Sequence, residues 1–408
     1  MSDRSSWKSR KLRYWAECSG HSRRAVVPTS HPAPAASPAQ ALLESHVLEQ
    51  LGRSPDLSAH PFGIASVTSA RTSLTLHLDA YMGQRRYSFP EHCLSRLLPT
   101  TPAPGNGTDV PGIPGLRVSG IEAGGQELHL HMVKDLGPTA TLVLVLPRGL
   151  AEGWEDIERR HRNWCEANDM RPLWRASQLD PVESAYRDAY PSLEASRTRR
   201  AAVGSGLLRR IALFHTVTAF YRVQCWDDGD SWKIDAHTAH PRARWHDQLL
   251  QRLCHPRWGL PEHLAHRFCH CAEPDTPYQW DHTCAFYFDG PTTGKDDPVY
   301  LRVHASPEWH GYAWQIATLR QVGAPADWMA RAFPQQAVQH HDQQHQQRGC
   351  GNGTSATERK EAAHARAGPT AASSPHDPRS PPHPLAHRRE KDRAHSRRAR
   401  LRGRLRRA

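Results

Sequence analysis

A chain of 408 residues has room for two or three domains, and its 38% hydrophobic share is low for one that is globular throughout. The net charge of +12 is uneven: residues 1–35 carry +5, residues 351–408 carry +10, and residues 36–350 carry −3. A basic surface for polyanions is therefore expected at the two ends. No apolar run approaches a membrane span, and Met1–Ala25 has no apolar signal core. Nine irregularly spaced cysteines exclude a small disulfide scaffold, so a reducing, cytoplasmic location is expected.

Residues 1–37 are basic and then rich in Pro, Ala and Ser, with too little apolar surface to offset the entropy of ordering. They are expected to be a disordered arm. Leu43, Val47 and Leu51 recur every four residues and predict a helix over Ala41–Leu51, stopped by Gly52. Phe62–Ser69 and Thr72–Tyr81 predict strands. In the second, Leu74, Leu76 and Leu78 alternate with Thr75, His77 and Asp79. Pro99–Pro114 reads as a loop. Leu116–Ile121 and Glu127–Val133 predict a hairpin turned at Gly124-Gly125, where glycine accepts positive φ. Thr141–Leu146 predicts another strand. Trp154, Ile157, His161 and Trp164 predict a closing helix. Residues 38–170 thus read as an antiparallel sheet plus helices.

Residues 171–206 read as a helical linker. Asp180, Pro181 and Glu183 have the N-cap, N1 and N3 chemistry of a helix start, and Pro191 ends that helix near Tyr190. Gly204-Ser-Gly206 reads as a hinge. Residues 207–333 read as a second α+β domain. Strands are expected over Ile211–Trp226, Ser231–Ala236, Cys284–Phe288, Val299–His304 and Tyr312–Leu319. Helices are expected over Trp245–Cys254, Glu262–Phe268 and Ala326–Phe333. Residues 334–408 are rich first in Gln and His, then in Arg, and read as a disordered tail. The expected fold class is α+β: two domains with mainly antiparallel sheets and flanking helices, between disordered basic N- and C-terminal tails. No internal repeat is legible.

Cys254–Cys284 concentrates cysteine and histidine. Zinc takes thiolate and imidazole in a tetrahedron, and Cys269, Cys271, His282 and Cys284 offer two pairs separated by ten residues. They are the candidate structural zinc ligands; the alternative is that Cys284, beside Phe286 and Phe288, is core. His263, His266 and His270 would share one face of the expected helix over Glu262–Phe268.

A second cluster lies on the expected strand Glu127–Val133. Strand alternation puts Glu127, His129 and His131 on one face, and His77 and Asp79 would join them if the two strands are neighbours. The bland alternative is the solvated face of a half-exposed sheet. His129-Leu-His131 resembles the HUH motif of rolling-circle replication endonucleases and relaxases, and Leu74-Thr-Leu-His-Leu78 is similar to the first motif of the replication branch. The resemblance implies a divalent metal on His129 and His131 and a single-stranded DNA substrate. It also implies attack by a tyrosine, for which Tyr186 and Tyr190 lie on one helix face.

The arginine-rich end, with Arg397, Arg398, Arg400, Arg402, Arg404, Arg406 and Arg407, fits non-specific nucleic-acid contact through counterion release. Three functions are therefore expected. They are a non-enzymatic protein contacting nucleic acid through its tails and stapled by zinc, an HUH-like single-strand endonuclease, and a protein-interaction module.

Overall fold

A computed structural model describes residues 2–22, 35, 37–54, 56–103, 109–122, 124–137, 139–218, 220–227, 231–239, 245–260, 263–268, 282–289, 298–305 and 312–333. The basic start of the chain forms helix α1 (Ser2–Ser19), contrary to the expected arm. Tyr14, Trp15 and Cys18 sit at helical spacing and are 3%, 5% and 0% exposed, enough burial to hold the helix on the body. Helix α2 (Pro38–Gly52) follows, with Ser37 as N-cap accepting from the Gln40 N–H.

The first half then runs through β1 (Ile64–Ser69), β2 (Ser73–Leu78), β3 (Tyr81–Met82), β4 (Tyr87–Ser88), α3 (Phe89–Leu97), β5 (Thr100–Pro102), β6 (Leu116–Glu122), β7 (Glu127–Met132), β8 (Thr141–Val145), α4 (Trp154–Ala167) and β9 (Met170–Pro172). The expected hairpin is β6–β7, with Gly124 and Gly125 at φ 66° and 85°. Leu74, Leu76 and Leu78 of β2 face the interior as their alternation predicts.

The expected helical linker contains two helices, α5 (Pro181–Ala189) and α6 (Pro191–Leu208). Asp180 and Glu183 close the capping box on α5. Gly204 and Gly206 are not a hinge but lie inside α6. A Cβ on Gly204 would come within 2.3 Å of Ser45 Oγ on α2, so this glycine lets the two helix backbones meet. A buried cluster ties the helices. Arg209 donates to Glu44 at 2.8 and 2.6 Å, Ser205 Oγ donates to Glu44 at 2.6 Å, and Gln40 at 2.9 Å.

The second half contains α7 (Leu213–Thr216), β10 (Phe220–Asp227), β11 (Trp232–Thr238), α8 (Trp245–Leu253), β12 (His263–Phe268), β13 (His282–Asp289), β14 (Val299–Ala305), α9 (Tyr312–Gln321) and α10 (Ala326–Ala332). Three expectations are corrected. The start of the Ile211–Trp226 run is helical, because Leu213 and Phe214 continue the buried side begun by Leu207 and Leu208. His263–Phe268 is a strand paired with β13, not the expected helix, and His270 lies outside the described residues. Tyr312–Gln321 is a helix, burying Ile316 and Leu319 at helical spacing.

The fold is α+β with mainly antiparallel sheets, and it contains an unforeseen repeat. The first sheet has the order β1-β2-β8-β7-β6 and the second β10-β11-β14-β13-β12. Each joins an antiparallel hairpin to a three-stranded meander through one parallel pair, β2–β8 or β11–β14. Even a bulge recurs, between Ile64 and Ser66 in β1 and between Phe220 and Arg222 in β10. The sheet-bearing halves do not have separate cores. Inner-face residues of both sheets and apolar residues of α2 and α6 form one contiguous cluster, and all described residues belong to one compact unit. No helix among them is long and apolar enough to cross a membrane.

Candidate metal centre

Period-two alternation divides the second sheet into two chemistries. Trp232, Ile234 and Ala236 of β11 and Val299, Leu301 and Val303 of β14 are buried on the inner face. The outer face takes Lys233, Asp235 and His237 from β11 and Tyr300, Arg302 and His304 from β14. Register sets these side chains in rows across the strands. Arg222 pairs with His237, His237 with His304, and His304 with Thr283. One row along, Gln224, Asp235 and Arg302 are aligned in the same way.

Asp235, His237 and His304 each offer a ligand atom, all within 4.8 Å of one another, and no other described group of three or more does so. The histidine rings stack with centroids 4.8 Å apart and planes 16° from parallel. Asp235 is 4% exposed and receives both arms of the Arg302 guanidinium, at 2.6 Å each. Burial pushes its carboxyl up, but His304 and Arg302 outweigh that and hold it below the usual range, ionised. Burial first, then the charges of His304 and Arg222, press His237 down to about 4, so at neutral pH its ring is uncharged and keeps a lone pair. His304 Nδ1 is 3.0 Å from Thr283 Oγ1.

His304 Nε2 is buried and lies 3.0 Å from Asp235 Oδ2, close enough for an ion pair. Two imidazoles and a carboxylate are a donor set for zinc and neighbouring first-row ions, and three protein ligands leave one position open. With metal–ligand bonds of about 2.0–2.2 Å the ligand atoms would sit roughly 3.4 Å apart, so the wider separations close while the 3.0 Å His304–Asp235 contact opens slightly. The surroundings are cationic. Arg222 Nε is buried without a hydrogen-bond partner, and the Arg302 guanidinium lies 5.1 Å from the Trp226 ring. Tyr221, in the β10 bulge, walls the end, with its ring 6.4 Å from His237 and 5.5 Å from Phe333.

The residues singled out from the sequence fall elsewhere. Cys269 and Cys271 lie outside the described residues. His282 opens the β13 backbone, and Cys284 is 1% exposed in the apolar core with Phe286 and Phe288. Glu127, His129 and His131 do share one half-exposed face of β7, and His129 Nε2 is 3.5 Å from Glu127. They do not meet His77, because β8 lies between β2 and β7. His77 packs instead against His21, at 5.3 Å, and the Asp79 carboxylate pairs with His60 Nδ1 at 2.7 Å. The rings of Tyr186 and Tyr190 are 5.2 Å apart. Burial raises the Tyr186 hydroxyl, and the groups acting on it are Arg197, Tyr190, Asp109 and Arg53, none from β7. Arg397, Arg398, Arg400, Arg402, Arg404, Arg406 and Arg407 lie outside the described residues. The Asp235 set was missed because it needs a parallel pairing between residues 67 apart in sequence, His237 with His304. Asp-x-His on β11 and Arg-x-His on β14 were its only local traces.

No family model, no curated protein and no solved structure matches this chain. What defines the molecule is an α+β fold whose two five-stranded sheets share one strand topology, with a two-histidine, one-carboxylate cluster on the second sheet.

Proposed function

We propose that the protein binds one divalent first-row transition-metal ion, zinc in the first instance, through Asp235, His237 and His304. The ion's open position then receives an anionic ligand beside Arg222. The carrying observation is the convergence of Asp235, His237 and His304, whose ligand atoms all lie within 4.8 Å of one another, with His304 Nε2 3.0 Å from Asp235 Oδ2. The cationic neighbours explain the anion. With Arg302 neutralising Asp235, a divalent ion brings excess positive charge that an anionic fourth ligand compensates. The buried thiols of Cys18, Cys93, Cys165 and Cys225 support a reducing, cytoplasmic compartment.

The test is zinc titration of the full chain by calorimetry, beside an Asp235→Asn, His237→Ala, His304→Ala variant. The chain has 28 histidines and nine cysteines, so weak background binding is expected in both. The proposal requires one tight equivalent in the wild type that the variant lacks, and tighter phosphate binding when zinc is present. An equal tight stoichiometry in both would sink it. A second reading is favoured by the charge of +10 over residues 351–408, where Arg397–Arg407 would contact nucleic acid non-specifically. Neutralising those arginines should then flatten the salt dependence of binding.

A further inference from the structure

We propose that α1 and the loop after α8 form a binding site for single-stranded nucleic acid, separate from the metal cluster and from the arginine-rich end. Arg10, Arg13 and Glu17 are spaced i, i+3 and i+7 and so share one side of α1. That side is located by Glu17, which pairs with Arg252 of α8 at 2.9 Å. Trp7, three residues before Arg10, contacts Trp258 with centroids 6.4 Å apart. His255 stacks on Trp258 at 4.5 Å and 11°, and Tyr14 lies 5.5 Å from Trp258.

The loop is held rigidly. The Tyr14 hydroxyl donates to the carbonyls of Arg252 and Trp258 at 2.9 and 3.0 Å, and Arg210 donates to that of Trp258 at 2.8 Å. The aromatic platform is therefore built in advance of any ligand. Trp7 is 36% exposed, an unusual placement for tryptophan on a helix whose other large rings are buried.

Charge selects the partner. Arg10, Arg13 and Arg257 are exposed, Lys11 Nζ stands 5.3 Å over the Trp7 ring, and Glu17, on the same side of α1 as Arg10 and Arg13, pairs with Arg252. Burial and the charges of Arg252 and Arg257 hold the His255 ring below its ordinary range, so it offers an uncharged stacking plane. Cations around exposed rings fit phosphates alternating with unpaired bases, because stacking needs bases not engaged in a duplex. An acidic peptide would use the cations but not the rings.

The test is fluorescence anisotropy of the full chain with labelled 15-nucleotide oligouridylate and oligothymidylate, a duplex of equal length, and phosphatidylserine-containing vesicles as a separate arm. The variants are Arg10→Gln/Arg13→Gln/Arg257→Gln, Trp7→Ala, and glutamine at the seven arginines between Arg397 and Arg407. All changes are checked for unaltered circular dichroism. Three lost phosphate contacts should flatten the plot of log affinity against log salt by about 2, and Trp7→Ala should weaken binding about fivefold or more. The C-terminal variant should keep single-strand binding. Preference between the two oligonucleotides would name the sugar. Wild-type affinity in both α1 variants overturns the proposal. So does tighter binding to duplex or vesicles than to single strands, or complete loss in the C-terminal variant.

Discussion

Replacing Arg209 with Met tests whether the two halves share one interior. The pair sits where α2 meets α6, with side chains 1% and 0% exposed. The substitution removes both guanidinium bonds to Glu44, leaves its carboxylate with Ser205 and Gln40 alone, and strips the carbonyl of Ala70 of its 2.8 Å donor. Removing one partner of a fully buried pair costs about 3–5 kcal/mol, a large part of the roughly 5–15 kcal/mol that holds a folded protein together. Pairing it with Glu44→Leu removes the stranded charge, so the double variant should recover most of the loss. The assay is urea unfolding at pH 7 and 25 °C, followed by tryptophan fluorescence and circular dichroism, with all four corners of the cycle measured. The wild type should unfold in one transition seen alike by both probes. A loss under about 1 kcal/mol for Arg209→Met, or a wild type whose halves melt separately, would refute the reasoning.

Acid sensitivity should follow from buried histidines. His161 is stacked between Trp164 and Trp174 and 3% exposed, and burial presses it down to about 4. The unfolded chain therefore takes up a proton first, and stability should fall as pH drops from about 6.5 to about 4. His161→Phe keeps the stack and should reduce that slope by about 1.4 kcal/mol per pH unit, measured by denaturant titration across the window. Gly204→Ala drives a Cβ against Ser45 and should cost about 1–3 kcal/mol, whereas Gly120→Ala, with nothing within 4 Å, should leave the melting temperature nearly unchanged. Asp180→Ala removes the acceptor for the Val182 N–H and half of a capping box, and should cost about 1 kcal/mol in urea unfolding.

Local signals carried much of the fold. The alternation of Leu74, Leu76 and Leu78, the Gly124-Gly125 turn, the Asp180–Glu183 box and the apolar stripe of α4 each specify their element within a few residues. The misses came where a partner distant in sequence decides. His263–Phe268 has helical histidine spacing, but β13 offers it a ladder. Gly204-Ser-Gly206 has the composition of a hinge, but its lack of side chains serves close helix packing. In α1 the surrounding charge masked Tyr14, Trp15 and Cys18, which at helical spacing are enough to dock a basic segment. The Asp235 cluster was the least legible, because its ligands become neighbours only through the parallel β11–β14 pair.

The repeated topology has a consequence for how such a molecule can change. Counting from matching bulges, Thr75, His77 and Val145 stand in the first half where Asp235, His237 and His304 stand in the second. One copy carries the full donor set and the other only its histidine, on backbones of the same plan. Because alternate residues face opposite ways, the outward side of either sheet can be rewritten while the inward side stays fixed. The chain thus keeps a spare page, already ruled in the same register, on which chemistry can be tried without disturbing the binding that holds both pages together.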